Sequence, residues 1–328
     1  MRVLIAGFGS IGRRHCANLR QLAPAAEILV LRRHGVESDA ALAGARVVCS
    51  LDEALSFAPD AAIIASPATS HVSDALALAR HGAHLLVEKP LSHSLDGVDE
   101  LIRECQQRSV VLMTAYNLRF YEPLQRLREA LQTGEIGRVM SIRAEVGQYL
   151  PLWRPGTDYR QSVSGRHELG GGVILELSHE IDYVRWLCGE VVEVYCQSGH
   201  LSDLEIDVED VAGILLRFAS GAIGSVHLDM VQQPMHRGCR VVGTHGTLLW
   251  DGVTHRVQQW TSRTAVWRDL HPATPVERNT MFVAELQHFL DCARGACAPG
   301  VSPADGRRVL EIALAAKASA EQSRPVQL

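Results

Sequence analysis

The chain has 328 residues, a net charge of −5, 47% hydrophobic and 21% charged residues, a globular balance too long for one small core and expected to form two domains. It shows neither a basic stripe interleaved with aromatics, which argues against nucleic acid as partner, nor an apolar run of membrane length. The chain enters an apolar strand without a charged leader, and its eight cysteines and its histidines lack metal spacing; a cytoplasmic protein with reduced thiols and no metal is expected.

The apolar run at residues 3–6 is followed by Gly7-Phe8-Gly9-Ser10-Ile11-Gly12 and a helical stretch over 13–22. This is Gly-x-Gly-x-x-Gly between a strand and a helix. Gly7 permits the tight turn, Gly9 admits a pyrophosphate to the backbone, and Gly12 lets helix and strand pack closely. A second strand, 27–31, ends in Arg32 and Arg33, where an NAD-selective site usually carries an acidic residue for the ribose 2′-hydroxyl. Guanidinium groups suit a 2′-phosphate instead, so NADP(H) is favoured over NAD(H).

Alternation continues with a strand at 47–49, a helix at 51–57, and a strand at 61–65 that ends in Ser66-Pro67. A helix over 70–81, carrying His71, leads to a strand that ends in Glu88-Lys89-Pro90. Ser66, Pro67, His71, Glu88 and Lys89 are placed beside the cofactor, because ligands bind outside the carboxyl ends of parallel strands. A lysine held at that edge can polarise a hydroxyl or carbonyl oxygen. A helix over 96–108 and a strand at 110–113 complete a doubly wound parallel sheet, a Rossmann fold. The first domain is drawn at 1–121, with Asn117 and Arg119 near its end assigned to substrate.

The period changes after a helix at 123–133. Residues 139–146 alternate, with Met140, Ile142, Ala144 and Val146 on one side, and similar runs follow at 191–198, 210–218, 222–230, 238–243 and 247–251. The second domain, 122–328, is therefore α+β with an open, mostly antiparallel sheet, closed in part by helices at 276–294 and 303–322. Its apolar face, including Val226, Leu228 and Met230, predicts a homodimer or homotetramer joined through the sheet.

Two stretches inside this domain carry chemistry. The run Gly170-Gly171-Gly172 allows close approach of a ligand, and the following helix places Glu176, His179 and Asp182 three apart, on roughly one face. Histidine beside a carboxylate is the usual composition of a general acid/base near neutral pH. Between residues 147 and 162, Tyr149, Trp153, Arg154, Tyr159 and Arg160 crowd together, with Arg166 close by. Aromatic rings stack on sugars or bases, and arginines grip carboxylate or phosphate, so this segment is assigned to substrate.

Together, the glycine motif, Glu88-Lys89-Pro90, the glycine run with His179-Glu180-Ile181-Asp182, and the closing Val301-Ser302-Pro303-Ala304-Asp305-Gly306 resemble the glucose–fructose oxidoreductase/inositol dehydrogenase (Gfo/Idh/MocA) family over essentially the whole chain. The resemblance implies that Lys89 binds the reacting oxygen and His179 exchanges the proton while hydride moves to or from the cofactor. The family commonly has aspartate four residues before this histidine; Leu175 stands there, so Glu176 and Asp182 both remain candidates for the third catalytic group. The implied activity is oxidation of a secondary alcohol on a small carbohydrate, with an anionic or nucleotide-linked sugar of surface-polysaccharide metabolism expected. The family also implies two alternatives, a cofactor-binding regulator without turnover and a redox-assisted lyase or glycosidase.

Overall fold

A computed structural model describes residues 1–33, 40–42 and 44–328. They divide into two compact units, residues 1–117 with 279–310, and residues 118–278 with 311–328. The expected division at 121/122 assigned everything afterwards to the second domain. Here residues 279–310 instead return to the first unit, because their helix packs there.

In the first unit, β1 (Arg2–Ala6), α1 (Ser10–Leu22), β2 (Glu27–Leu31), β3 (Arg46–Val48), α2 (Leu51–Ser56), β4 (Ala61–Ile64), α3 (His71–Arg80), β5 (His84–Glu88), α4 (Val98–Arg108) and β6 (Leu112–Ala115) follow in turn. The strands pair in parallel, in the order β3-β2-β1-β4-β5-β6, the order typical of dinucleotide-binding sheets. Helices cover both faces, so Val3, Leu4, Ile5, Ile63, Leu85 and Leu86 are fully buried, each contributing about 1.5–3 kcal/mol. That double burial is why these strands read as unbroken apolar runs. Strand order reverses between β1 and β4, which puts Gly7, Ser66 and Lys89 along one carboxyl edge.

The second unit begins with α5 (Glu122–Gln132), β7 (Val139–Gly147), α6 (Val173–Glu176) and α7 (His179–Cys188). It continues with β8 (Val191–Gly199), β9 (Val211–Phe218), β10 (Ile223–Asp229), β11 (His236–Gly243), β12 (Gly246–Asp251), β13 (Arg256–Thr261) and β14 (Trp267–His271). Then α8 (Asn279–Ala293) belongs to the first unit, α9 (Pro303–Gln322) starts in the first and ends in the second, and β15 (Val326–Gln327) closes the chain. The sheet runs β14-β13-β12-β11-β7-β10-β9-β8-β15, antiparallel except for β7 with β10. Sequence reading missed β13, β14 and β15. In β14, Trp267, Arg268 and Asp269 are all exposed, so no apolar alternation marks it.

One face of this sheet is covered within the unit. Ile142, Ala144, Val226, Leu228 and Met230 are almost fully buried, whereas Met140 is 42% exposed. The apolar side expected to join subunits is therefore already occupied, as α6 packs on β9 and β10 and α7 on β7 and β10. The opposite face carries Arg143, Glu145, His227 and Arg240 around a broad concavity.

Candidate active site

The nucleotide end of the first unit is built by backbone shape. Gly7 has φ +97, and a Cβ there would stand 2.5 Å from the Ala65 carbonyl oxygen. A Cβ on Gly12 would run into the Gly7 carbonyl. A Cβ on Gly9 would meet nothing within 4 Å, so space lies open at the N-cap of α1. No side chain caps that terminus and no acidic residue occupies its first turn. Outward amide hydrogens and the positive helix end suit a pyrophosphate there, and the cradle fits a dinucleotide. Phe8 is buried under the Arg13 guanidinium; Ser10 and Ile11 open α1 and reach solvent.

Arg32 and Arg33 differ. Arg33 forms a bidentate pair with the buried Asp74 of α3, Nη1 to Oδ2 at 3.1 Å, and that carboxylate raises the guanidinium's already high pKa. Arg32 is half-buried and makes no side-chain hydrogen bond or ion pair among the described residues.

Two histidines hold the turn that carries Lys89. His15 of α1 is fully buried, with Nε2 2.7 Å from Glu88 Oε1. Glu88 Oε2 also accepts from the Lys89 amide at 3.3 Å. His71 is buried, with Nδ1 2.9 Å from the Pro90 carbonyl and Nε2 2.8 Å from the Ser66 carbonyl. It staples the turn after β4 to the turn after β5, so its ring nitrogens are taken up by backbone and not presented to a ligand. Burial holds its pKa below the usual histidine value, the two carbonyls opposing. Lys89 and Ser66 are half-buried, as is Pro67, and the Lys89–Pro90 peptide is cis.

In the second unit, the segment expected to be one helix is two. α6 stops at Glu176 and α7 starts at His179, so Glu176, His179 and Asp182 do not share one helical face. Asp182 is fully buried and bound by Arg119, Nη2 to Oδ1 at 2.7 Å and Nε to Oδ2 at 3.0 Å. Glu180 is fully buried against Arg237, Oε1 to Nε at 2.7 Å. Glu176 and His179 are the titratable groups of this run that reach solvent, and Glu176 accepts from Ser164 Oγ at 2.8 Å. The glycine run serves packing: a Cβ on Gly172 would meet the Glu209 carboxylate, and one on Gly171 the Val163 carbonyl. Space assigned to a ligand is filled by the chain.

The substrate segment is likewise partly self-satisfied. The Trp153 indole donates to the Gln148 carbonyl at 2.8 Å, and the Tyr159 hydroxyl accepts from the Glu205 amide at 3.3 Å. Arg160 is held by Asp158, Nε to Oδ1 at 2.9 Å, and by Glu205 at 3.1 Å; Arg166 pairs with Glu168 at 3.1 Å. Arg119 is 6% exposed, and its guanidinium lies over the Trp186 ring as well as on Asp182. It is structural, not a solvent-facing substrate contact. Arg154 is exposed, and neither it nor the half-buried Tyr149 makes a side-chain hydrogen bond or ion pair among the described residues. Asn117 is buried at the end of the first unit.

A family model described as "Oxidoreductase family, NAD-binding Rossmann fold" matches residues 1–116, and one described as "GFO/IDH/MocA C-terminal domain" matches residues 124–249. The chain belongs to the Gfo/Idh/MocA oxidoreductases. Among relatives, it is 29% identical over 342 residues to myo-inositol 2-dehydrogenase of Thermotoga maritima, covering 100% of this chain and 98% of the relative. It is 26% identical to scyllo-inositol 2-dehydrogenase (NAD(+)) of Bacillus subtilis, covering 82% and 78%. A solved structure of the WlbA dehydrogenase from Bordetella pertussis, in complex with NADH and UDP-GlcNAcA, matches with TM-score 0.86 and 26% identity, covering 100% and 98%.

Within this Gfo/Idh/MocA chain, sequence reading passed over His15 and Glu209. His15 follows the glycine motif at the spacing that turns it toward β5, a signal present in the sequence. Glu209 caps α6, its backbone carbonyl accepting from Val173 at 2.9 Å while Lys317 approaches its carboxylate at 3.5 Å. Nothing local marks Glu209, since its partners lie far along the chain.

Proposed function

We propose that this oxidoreductase moves hydride between a nicotinamide and a secondary alcohol or ketone of a sugar-like substrate, the first unit binding dinucleotide and the second binding substrate. The single observation that carries the reading is Lys89, fixed at the carboxyl edge of β5 by His15 through Glu88 and by His71 through Pro90. Bound nicotinamide supplies the hydride acceptor or donor. Lys89 directs its ammonium to the reacting oxygen, and His179 takes the hydroxyl proton as the carbonyl forms and returns it in reverse. Glu176, partly exposed beside Ser164, is favoured as the third group over Asp182, whose carboxylate Arg119 occupies. Lys89→Met and His179→Ala should each lower turnover by roughly 10²-fold or more, with cofactor affinity nearly unchanged. Near-normal turnover in His179→Ala would falsify the proton-transfer role. Release of reduced cofactor on turnover separates this reading from a regulator or a redox-assisted lyase.

The finer choices rest on single arginines. Preference for NADP(H) over NAD(H) is supported by Arg32 and by the missing acidic residue after β2; Arg33, tied to Asp74, contributes less. Calorimetric titration with both cofactors tests it, and equal or tighter NAD(H) binding in wild type rejects it. Preference for an anionic sugar, a nucleotide sugar or a nonulosonic-type acid, is supported by Arg154, with Tyr149 and Trp153 nearby as stacking surfaces, and by the UDP-GlcNAcA named for the WlbA relative. Efficient turnover of free myo-inositol, unaffected by Arg154→Ala, rejects it.

A further inference from the structure

A second reactive cluster lies at the end of α8. The helix closes on Gly295, at φ +77, with the Gly295 amide donating to the Cys292 carbonyl at 2.9 Å and the Ala296 amide to the Asp291 carbonyl at 2.9 Å. That pattern ends a helix firmly and folds the next residue back over its last turn. Cys297 Sγ consequently lies 3.5 Å from Cys292 Sγ. His288, one turn earlier on the same face, puts Nε2 3.5 Å from Cys292 Sγ and Nδ1 3.8 Å from Cys297 Sγ. Cys297 is exposed and Cys292 buried.

Imidazole and two sulfurs are also a zinc or copper(I) ligand set, and hydrogen bonding decides between metal and thiol chemistry. The Gly300 amide donates to His288 Nε2 at 2.8 Å, so the Nε2 lone pair is used and the neutral ring carries its proton on Nδ1. A metal-bound histidine presents the reverse, one lone pair to the metal and an N–H outward to an acceptor. With the proton on Nδ1, the ring faces the Cys297 sulfur as a hydrogen-bond donor at 3.8 Å. Burial and the adjacent sulfur push the Cys292 thiol up to about 12.

We propose that Cys297 and Cys292 are an oxidant-sensitive thiol pair, with Cys297 the attacking and Cys292 the resolving sulfur, outside the dehydrogenase centre. The Cys297 sulfur attacks one oxygen of hydrogen peroxide, the O–O bond breaks, and the departing hydroxide takes up the Cys297 thiol proton as water. The resulting sulfenic acid is then attacked by the Cys292 sulfur; the S–O bond breaks and hydroxide leaves with the Cys292 proton as a second water. Two thiols are oxidised to one disulfide while one peroxide is reduced to two waters. A dithiol reductant reverses it.

The test treats the purified full-length protein with hydrogen peroxide, alkylates remaining thiols, and maps the peptides by mass spectrometry. The expected product has lost two hydrogens, resists alkylation at Cys292 and Cys297 only, and regains both sites with dithiothreitol. Cys297→Ser abolishes it, His288→Asn slows it several-fold, and Cys49→Ser, which removes the other exposed thiol, leaves it unchanged. Oxidation of Cys297 to sulfinic acid with Cys292 still alkylated would overturn the pairing. So would a stoichiometric metal, found in protein purified without chelator, that shields both sulfurs.

Discussion

Arg154 and Arg160 sit in one loop and face different surroundings. Arg160 is neutralised by Asp158 and Glu205, while Arg154 has no such partner among the described residues. A charged hydrogen bond to substrate is worth roughly 1.5–3 kcal/mol. Arg154→Ala is thus expected to raise KM for an anionic sugar on the order of 10- to 100-fold and to leave thermal stability unchanged, whereas Arg160→Ala should do little to KM. Arg119→Ala should show the opposite pattern. It breaks the buried ion pair to Asp182, at a cost of about 3–5 kcal/mol by the measure of broken buried ion pairs, and urea melts will show it. If Arg154→Ala instead lowers the melting midpoint with KM intact, its role is structural. His15→Ala should slow turnover with little change in cofactor affinity, and His15→Gln, which restores a donor to Glu88, should recover part of the rate. Charge was legible in the sequence at all these positions, but partners were not. Arg33 and Arg119 read as ligand contacts because the acids that claim them stand 41 and 63 positions away, whereas Asp158, the nearer partner of Arg160, stands only two positions from it.

Elements were more legible where burial is two-sided. The central strands β1, β4 and β5 are apolar runs with glycine or proline close by, so composition marks them without any period. In the second unit β7, β9 and β10 showed themselves by alternation, while β14 did not, because both its faces are largely exposed. The break between α6 and α7 was not visible. Leu177 and Ser178 have nothing in their composition that forbids helix, and the break shows only in the backbone, where Leu177 leaves helical angles at φ −102 and ψ 26. At the glycine motif, by contrast, the local rule is strict. Gly12→Ala must displace the Gly7 carbonyl, and overpacking of this kind costs about 1–3 kcal/mol. The variant should lose dinucleotide binding in calorimetry before it loses its fold in circular dichroism; unchanged cofactor affinity would remove the turn from the site.

On the scale of the molecule, the covered face of the large sheet moves the expected subunit contact to the other side. Leu215 is 51% exposed and Ile223 61% exposed on adjacent strands, beside the concavity lined by Arg143, Glu145 and His227. A homodimer or homotetramer through that face remains the expected assembly, and Leu215→Arg with Ile223→Asp should yield monomers by light scattering. A wild-type protein that is monomeric at micromolar concentration excludes it.

The chain passes from the first unit to the second after Asn117, returns at Asn279, and leaves again after Leu310. At the return point, Asn279 Nδ2 donates to Asn18 Oδ1 at 2.8 Å, and Arg14 of α1 lies over the Phe282 ring of α8. Residues 118–278 are thereby carried as an insert within a nucleotide-binding framework whose returning helix α8 is pinned to α1. A fragment ending at residue 121 lacks α8 and should aggregate. Residues 1–117 joined to 279–310 by a short flexible linker should melt cooperatively, and failure of that fusion to fold would show that the insert is needed as scaffold. A framework closed on itself in this way lets the inserted segment diverge, loop by loop, toward new substrates while the helix that meets the dinucleotide keeps its seat.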